Sequence, residues 1–427
     1  MQSAVSQDLV LSRNLRIWLW ILCIGMLFLT QIAYMIGSFP VAVPLILYFA
    51  TIAYFAAQNL LTIRIVPLTM LTVAGVIGLL GLRHGELVSS SSFLMTITLY
   101  LPFVFDCKDE EKVRRIRNYF CEVYIAGVTV IALVAIVQFA LMNVVGLTSL
   151  VNVYYVLPAG LHEAGGYAYF RPMAGLLKAN GYFLRESSFL SMYSALALLM
   201  EYFGRARFRA LAILALALFL SFSGTGAMII IFAVLVPRSR QSLRIAGLLG
   251  VAAISVYFWG DKIPGVGFWV ARLAEFQAAG SSGYARFVAP FLMLQTTLAN
   301  KYLLFFGNGP GSYDRTVRPL SLLLNFQIAG ASLPKNFYEY GLIGCAMING
   351  LVARRVYRSD LRWELKNVLF LVWLLFVVNL GEDFLLVWLL TSWQRRFDLP
   401  SRVSRVVETK VENTLPAVSD ASVGQTG

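Results

Sequence analysis

Residues 119–142 read YFCEVYIAGVTVIALVAIVQFALM and contain a single charged residue, Glu122. At 1.5 Å per residue, a helix over this range is about 36 Å long, which is enough to cross the hydrocarbon core of a bilayer. Because a segment in lipid must satisfy its own backbone hydrogen bonds, we expect a helix here. Basic residues lie directly before this stretch, and apolar runs flanked by basic clusters recur along the chain.

The whole chain has the composition of a membrane protein. Of its 427 residues, 59% are hydrophobic and 13% are charged, whereas a soluble domain carries about 25% charged residues. So few charges cannot cover the surface of a soluble domain of this size, and that class is excluded. A formal net charge of +13 would suggest nucleic acid as the partner of a soluble protein, but in a membrane protein it reports orientation. We therefore expect no nucleic-acid partner.

Apolar stretches predict an all-α polytopic membrane protein with about twelve transmembrane helices. Basic residues cluster in every second connection, which places these connections and both termini in the cytoplasm. The predicted regions are helices 1–5 (1–142), a first periplasmic loop (143–186), helices 6–9 (187–259), a second periplasmic loop (260–335), helices 10–12 (336–394) and a disordered cytoplasmic tail (395–427). The predicted spans are 17–36, 41–58, 66–82, 90–106, 119–142, 187–203, 209–221, 224–237, 243–259, 336–353, 366–380 and 383–394.

The two long loops are expected to carry the function, because loops of this size are rarely mere connectors. We expect short amphipathic helices in them. The stretch Val144–Leu157 is too short to span, so it lies in the interface or re-enters the membrane. The stretch 263–279 suits a helix on the membrane surface, and 284–305 reads as another helix.

Cationic residues in these loops indicate an anionic ligand, because the guanidinium fork suits phosphate and carboxylate. Arg185 and Arg286 are favoured, since each lies near a predicted span in an otherwise apolar segment, where a charge needs a partner. Long loops are also translocated whatever their charge. Lys262, Lys301 and Arg318 fit solvated surface positions best.

No metal site and no cofactor are expected. The histidines, His84 and His162, lie in separate loops, and the four cysteines form no CxxC pair. The glycine-rich turn 307–311, GNGPG, lacks the Lys-Ser/Thr of a Walker motif. Its backbone N–H groups could approach a phosphate, and a simple tight turn is an equal alternative.

Four motifs lie in or beside the long loops. They are FRPMAGLLKANGYFLRESSFLS at 170–191, LSFSGTG at 220–226, GYAR at 283–286 followed by GNGPGSYD at 307–314, and YEYGLIG at 338–344. In order, spacing and placement on one side of the membrane, these motifs resemble those of the bacterial O-antigen polymerase and ligase group, the Wzy-like membrane glycosyltransferases. The resemblance covers roughly residues 171–344.

This resemblance implies a polymerase of undecaprenyl-diphosphate-linked oligosaccharide repeat units at the periplasmic face of the inner membrane. The product would be O-antigen, capsule or exopolysaccharide. A sugar hydroxyl would attack the anomeric carbon of the lipid-linked glycan, with inversion and without a metal. Membrane lipids and a chain-length regulator protein are the further partners that it implies.

Two alternatives stay open. Ligases of the group have a histidine shortly before the stretch that corresponds to YEYGLIG, and no histidine follows His162 here, which favours a polymerase over an O-antigen ligase. A polysaccharide transporter or lipid-linked glycan flippase is the alternative of another class. Transporters place charges and broken helices near the membrane midplane, whereas the polar residues here cluster in the outer loops.

The catalytic residues are predicted to be Arg185, Glu186 and Arg286. The arginines would stabilise the charge that develops on the leaving diphosphate. Glu186 is either the general base for the acceptor hydroxyl or an ion-pair partner of Arg185 or Lys178 that orders the loop. The predicted substrate-binding residues are Arg171, Lys178, Arg272, Tyr284, Arg315, Lys335 and Glu339.

Overall fold

The computed structural model describes most of the chain within one unit, Met1–Gln394. The predicted tail, together with Arg171, Arg272 and His162, lies outside the described residues. The described residues are 11–36, 39–85, 87–147, 152–158, 161, 176–235, 237–259, 277–279, 281–323, 328, 330–376 and 382–391.

Helices form most of this described part. Two short antiparallel strand pairs accompany them: β1 (Ala33–Ile36) with β2 (Phe39–Ala42), and β3 (Leu61–Ile63) with β4 (Phe105–Cys107). The helices are α1 (Arg13–Phe28), α2 (Val43–Ala57), α3 (Ile65–His84), α4 (Ser90–Tyr100), α5 (Glu110–Ala140), α6 (Ser187–Phe203), α7 (Phe208–Leu220), α8 (Gly224–Val234), α9 (Arg240–Trp259), α10 (Ser282–Phe287), α11 (Ala289–Leu292), α12 (Gln295–Ala299), α13 (Lys301–Phe306), α14 (Ser312–Leu323), α15 (Ser332–Arg358), α16 (Trp363–Leu375) and α17 (Glu382–Thr391).

The all-α class is confirmed, and each predicted apolar stretch overlaps one of the helices α1–α9 or α15–α17. Two described helical segments are long and apolar enough to cross a membrane by length and composition. They are Ile65–His84 and Glu111–Val145, with mean hydropathy 2.2 and 2.5. The number of twelve crossings therefore stays a prediction.

Two helical predictions need correction. The first predicted span, 17–36, is helical only to Phe28, and its end forms β1. The helix ends just before two polar residues, Thr30 and Gln31. Their side chains both donate hydrogen bonds to the Phe183 carbonyl.

The stretch 284–305 is also divided, into four short helices rather than one. Pro290 opens α11 and has no N–H to continue a preceding helix. Asn300 starts α13, because its side chain accepts hydrogen bonds from the N–H groups of Tyr302 and Leu303 at 2.9 and 3.3 Å.

The larger of two apolar cores among the described residues runs through the bundle. Helix α15 packs against α3, α13 and α16, while α5 packs against α1, α6 and α7. Large aromatic side chains fill the space between these helices, among them Trp373 and Trp388, which are 1% and 0% exposed. The Trp373 ring meets Phe384 edge-on, with centroids 4.8 Å apart. Such contacts bury much apolar area per residue and fix the relative positions of α16 and α17.

Polar contacts between elements fall into two groups. One group joins connections that the basic pattern assigns to the cytoplasm, and the other joins predicted periplasmic connections. Helix α5 takes part in both: Arg117 near its start pairs with Asp360, and Gln138 near its end bonds Asn180. These two positions lie about 30 Å apart along a helix. Sidedness relative to a membrane stays a prediction.

Arg355 organises the first of these groups. It is 1% exposed, and its guanidinium donates to the Phe105 carbonyl at 2.6 Å and to the Thr391 hydroxyl at 3.1 Å. Asp106 lies 3.8 Å from it and also pairs with Arg64 at 2.9 Å. One guanidinium thus ties α15 and α17 to strand β4.

We expect Arg355→Met to destabilise the protein by about 3–5 kcal/mol, because it leaves the Asp106 carboxylate and the Phe105 carbonyl buried without this donor. The measurement is thermal unfolding of the purified protein in detergent. Arg358→Met is the matched control, since Arg358 is exposed on the last turn of the same helix; we expect a change of about 0.5 kcal/mol or less. Equal shifts for both variants would contradict this role of Arg355.

Candidate functional site

Residues 177–186 carry Lys178, Arg185 and Glu186, and we name them the arginine-bearing segment. Its centre is fixed to α5 by one side chain. Gln138 donates to the Asn180 side-chain oxygen at 2.9 Å. The Gln138 oxygen accepts hydrogen bonds from the backbone N–H groups of Asn180 and Gly181, at 3.1 and 2.9 Å. A buried amide at the end of α5 therefore sets the path of this segment.

Further amide side chains hold the two ends of the segment. Two hydrogen bonds join the Asn143 side chain to the Leu177 backbone. Asn143 donates to the Leu177 carbonyl at 3.0 Å and accepts from the Leu177 N–H at 2.7 Å. The side chain of Asn152 donates to the Leu184 carbonyl at 2.9 Å. Because backbone groups in a buried segment must be satisfied, these amides replace the hydrogen bonds that a helix or a sheet would supply.

The backbone turns sharply in the middle of the segment. Gly181 and Tyr182 both have left-handed φ angles, 73° and 64°. A Cβ at Gly181 would lie 2.5 Å from an Ile131 methyl carbon, so a larger residue does not fit. For Tyr182 the left-handed conformation costs about 1–3 kcal/mol, and such strain persists only where the surroundings fix it. The turn directs the chain towards Arg185.

Arg185 lies two residues before the first residue of α6 and lines a small cavity. Its guanidinium donates to the Thr30 carbonyl at 3.3 Å. The cavity lining consists of Thr30, Leu184, Arg185, Phe189, Tyr193 and Glu382. The guanidinium is thus held among residues from three parts of the chain that lie far apart in sequence.

Glu186 forms a salt bridge with Arg286 of α10, a hundred residues later in the chain. The two side chains are 36% and 21% exposed, so the pair is partly accessible. Glu186 occupies the N-cap position of α6, but its side chain makes no capping hydrogen bond there. The structure therefore brings the predicted residues Glu186 and Arg286 together, and it pairs Glu186 with Arg286 rather than with the partners predicted from sequence.

The glycine-rich turn 307–311 packs against a break in α15. Gly307, Gly309 and Gly311 have φ angles of 77°, 89° and 76°. The N–H groups of Asn308 and Gly309 donate to the carbonyls of Tyr338 and Glu339, at 2.8 and 2.9 Å. These N–H groups are used within the protein, which supports the tight-turn interpretation over phosphate binding.

Glu339 lies beneath this turn and is 2% exposed. One of its carboxylate oxygens, Oε1, is buried and makes no hydrogen bond within the part of the chain that the structure describes. The predicted role of Glu339 in substrate binding stays a prediction.

Lys335 and Arg315 lie with Glu339 in the group of charged residues around the turn 307–311. The Lys335 ammonium lies 2.5 Å from a carboxylate oxygen of Asp314. Burial lowers the pKa of Lys335, but the carboxylates of Glu339 and Asp314 outweigh this effect and hold the pKa above its ordinary value. Arg315 donates to the Val88 carbonyl in the connection between α3 and α4. Both cations therefore have partners within the protein.

Helix α10 contacts both the Glu186 side chain and the residues around the turn 307–311. Its Arg286 pairs with Glu186, while its Tyr284 packs against a small core that contains Tyr313 and Tyr338. Those two rings meet edge-on with centroids 5.7 Å apart. Tyr284 is half-buried, so its position is set by packing. Lys178 is also half-buried, on the arginine-bearing segment.

Sequence reasoning missed the side chains that hold these residues in place. Gln138 stands alone in the longest apolar run, and an isolated polar residue in such a run is a signal for a buried polar contact. Glu382 and Asp383 are the first two residues of α17, and they are 2% and 8% exposed. Among the described residues, no group of three or more His, Cys, Asp or Glu is placed to hold a metal ion.

The described part of the chain is a mostly helical bundle in which a salt bridge joins Glu186 and Arg286, from the two predicted outer loops. A family model described as WcaD colanic acid polymerase matches residues 16–393. The chain therefore belongs to the WcaD colanic acid polymerase family, and it is a polymerase of lipid-linked repeat units rather than a ligase or a transporter. No curated protein and no solved structure matches it.

We expect Gln138→Leu to loosen the arginine-bearing segment, because Asn180 and Gly181 lose their shared acceptor. Hydrogen exchange of residues 177–186, measured by mass spectrometry in detergent, should accelerate at least about tenfold if the lost bond is worth about 1.4 kcal/mol or more. Gln58→Leu is the control, since Gln58 is exposed at the end of α2. Unchanged exchange in the Gln138 variant would show that other contacts fix the segment.

Proposed function

We propose that this chain lengthens an undecaprenyl-diphosphate-linked glycan at the periplasmic face of the inner membrane, with both termini in the cytoplasm. The observation that carries the proposal is the salt bridge between Glu186 and Arg286, in which Glu186 directly follows Arg185 in the sequence. It joins the two predicted outer loops at one place. Family membership supports the reaction class, and the description colanic acid polymerase favours an exopolysaccharide product.

The proposed reaction is a single displacement at the anomeric carbon. A hydroxyl oxygen of the acceptor sugar forms a bond to this carbon, and the bond from the carbon to the diphosphate oxygen breaks. The hydroxyl proton leaves to a base, and the bonding electrons leave with undecaprenyl diphosphate. Negative charge therefore grows on the diphosphate in the transition state, which is where fixed guanidinium groups lower the barrier most.

We assign Arg185 and Arg286 to that charge. Arg185 is attached to a backbone fixed by Gln138, and Arg286 is held by Glu186. Preorganised donors of this kind need no rearrangement when the charge develops. Arg171, Lys178, Arg272, Tyr284, Arg315, Lys335 and Glu339 remain our candidates for binding the sugars and the diphosphate.

We expect Arg185→Ala and Arg286→Ala each to lower the polymerisation rate about 10²–10³-fold, because each removes one donor to the leaving group. The measurement is the ladder of products that the purified protein forms from a lipid-linked repeat unit. Arg318→Ala is the matched control, since Arg318 is exposed on α14 and should keep the wild-type rate. Normal ladders from both variants would show that the site is elsewhere.

Glu186 has two candidate roles, and the salt bridge favours the positioning of Arg286 over general-base catalysis. We expect Glu186→Ala to lower the rate about 10–100-fold, as removal of a supporting partner typically does. Added formate should not restore the rate, because a small free carboxylate cannot hold Arg286 in place. Recovery of the rate with formate would instead identify Glu186 as the general base.

We further propose that the transfer inverts the anomeric carbon and proceeds without a metal, because the arginines supply the positive charge at the leaving group. Treatment with EDTA should leave the rate within about twofold of the untreated enzyme, since a lost electrostatic donor would cost far more. A large loss that Mg²⁺ restores would contradict this. A chain-length regulator protein stays a proposed partner.

A further inference from the structure

Two buried carboxylates open α17 and have no part in the mechanism above. Glu382 and Asp383 are 2% and 8% exposed, and all of α17 is buried. The helix dipole favours acidic residues in a first turn. It does not by itself explain two carboxyl groups inside an apolar bundle, where such groups are costly to bury.

The two carboxylates face different cavities. Glu382 lines the small cavity that Arg185 lines. Asp383 lines a second, largely apolar cavity with Met192 and Trp373, and Tyr193 belongs to both cavities. Glu382 is therefore the acidic residue that shares the surroundings of the Arg185 side chain.

The backbone and the side chain of Arg185 are held by different groups. The backbone is fixed by Gln138 through its neighbours. The guanidinium stands at the end of a long side chain with large rotamer freedom, and its hydrogen bond to the Thr30 carbonyl is 3.3 Å long, beyond the usual range. In a site of low dielectric, a nearby carboxylate attracts the guanidinium strongly.

We propose that Glu382 is a positioning residue for Arg185: its carboxylate, in the cavity that both side chains line, holds the guanidinium in the orientation that meets the substrate diphosphate. This inference rests on the proposed function. Glu382 itself does not touch the substrate. Its effect passes through Arg185, so the last helix of the bundle acts on a residue of the first long loop.

The test is Glu382→Gln, which keeps the shape of the side chain and removes its charge. We expect kcat for polymerisation to fall about 10–100-fold, with the KM for the lipid-linked repeat unit changed less than about threefold, because the interaction matters in the transition state. Glu382→Asp keeps the charge and should lose less activity. We expect its fall in log kcat to be at most about two-thirds of the fall that Glu382→Gln shows. Unchanged kcat in both variants overturns the proposal.

Glu364→Gln is the matched control for the loss of a buried charge. Glu364 is also 2% exposed and lies in the first turn of a helix, α16, but its partners are Ser239 at 2.5 Å and Arg362 at 3.5 Å. We expect its kcat to stay within about twofold of wild type. An equal fall of kcat in the Glu364 and Glu382 variants would show a general structural effect and overturn the assignment.

A double variant separates action through Arg185 from an independent role. In an Arg185→Lys background, Glu382→Gln should lower kcat much less than it does in the wild type, because the oriented fork is already lost. If Glu382→Gln instead lowers kcat by the same factor in both backgrounds, the two residues act independently and the proposal is overturned. If the wild type forms no ladder at all, the proposed function fails. If the wild type forms ladders and the Glu382 variants match it, only this inference fails.

Discussion

The need to satisfy polar groups inside an apolar bundle determines how this protein is built. In such surroundings an unpaired amide or charge is costly, and two of the buried polar side chains meet this need by joining separate elements. Gln138 attaches the arginine-bearing segment to α5, and Arg355 attaches α15 and α17 to β4. The candidate site lies beside the first of these contacts, and the path of its backbone depends on the amides of Gln138, Asn143 and Asn152.

The helices were predictable because long apolar runs leave the backbone few alternatives in lipid. Local exceptions were not. The first apolar run ends early, since Thr30 and Gln31 bond a carbonyl that is distant in sequence. The break in α15 at Gly341, with φ 60°, depends on its contact with the turn 307–311. Both features arise from contacts between distant parts of the chain, which periodicity does not encode.

The candidate site was predictable in kind but not in its connections. Charge in an apolar segment identified Arg185 and Arg286, and the pairing of Arg286 with Glu186 satisfies the expectation that such a charge has a partner. The sequence did not identify which partner, because Glu186 and Arg286 are a hundred residues apart. The supporting residues Gln138 and Glu382 looked like isolated polar positions, and only tertiary packing relates them to the site.

The order in which the chain is made gives the cavity at Arg185 a further meaning. Its lining comes from the end of α1, the start of α6 and the first residue of α17. Chains are synthesised from the N-terminus, and early parts fold first. The cavity is therefore complete only when the last helix has taken its place. A nascent or prematurely ended chain can form much of the bundle and still lack one wall of this cavity.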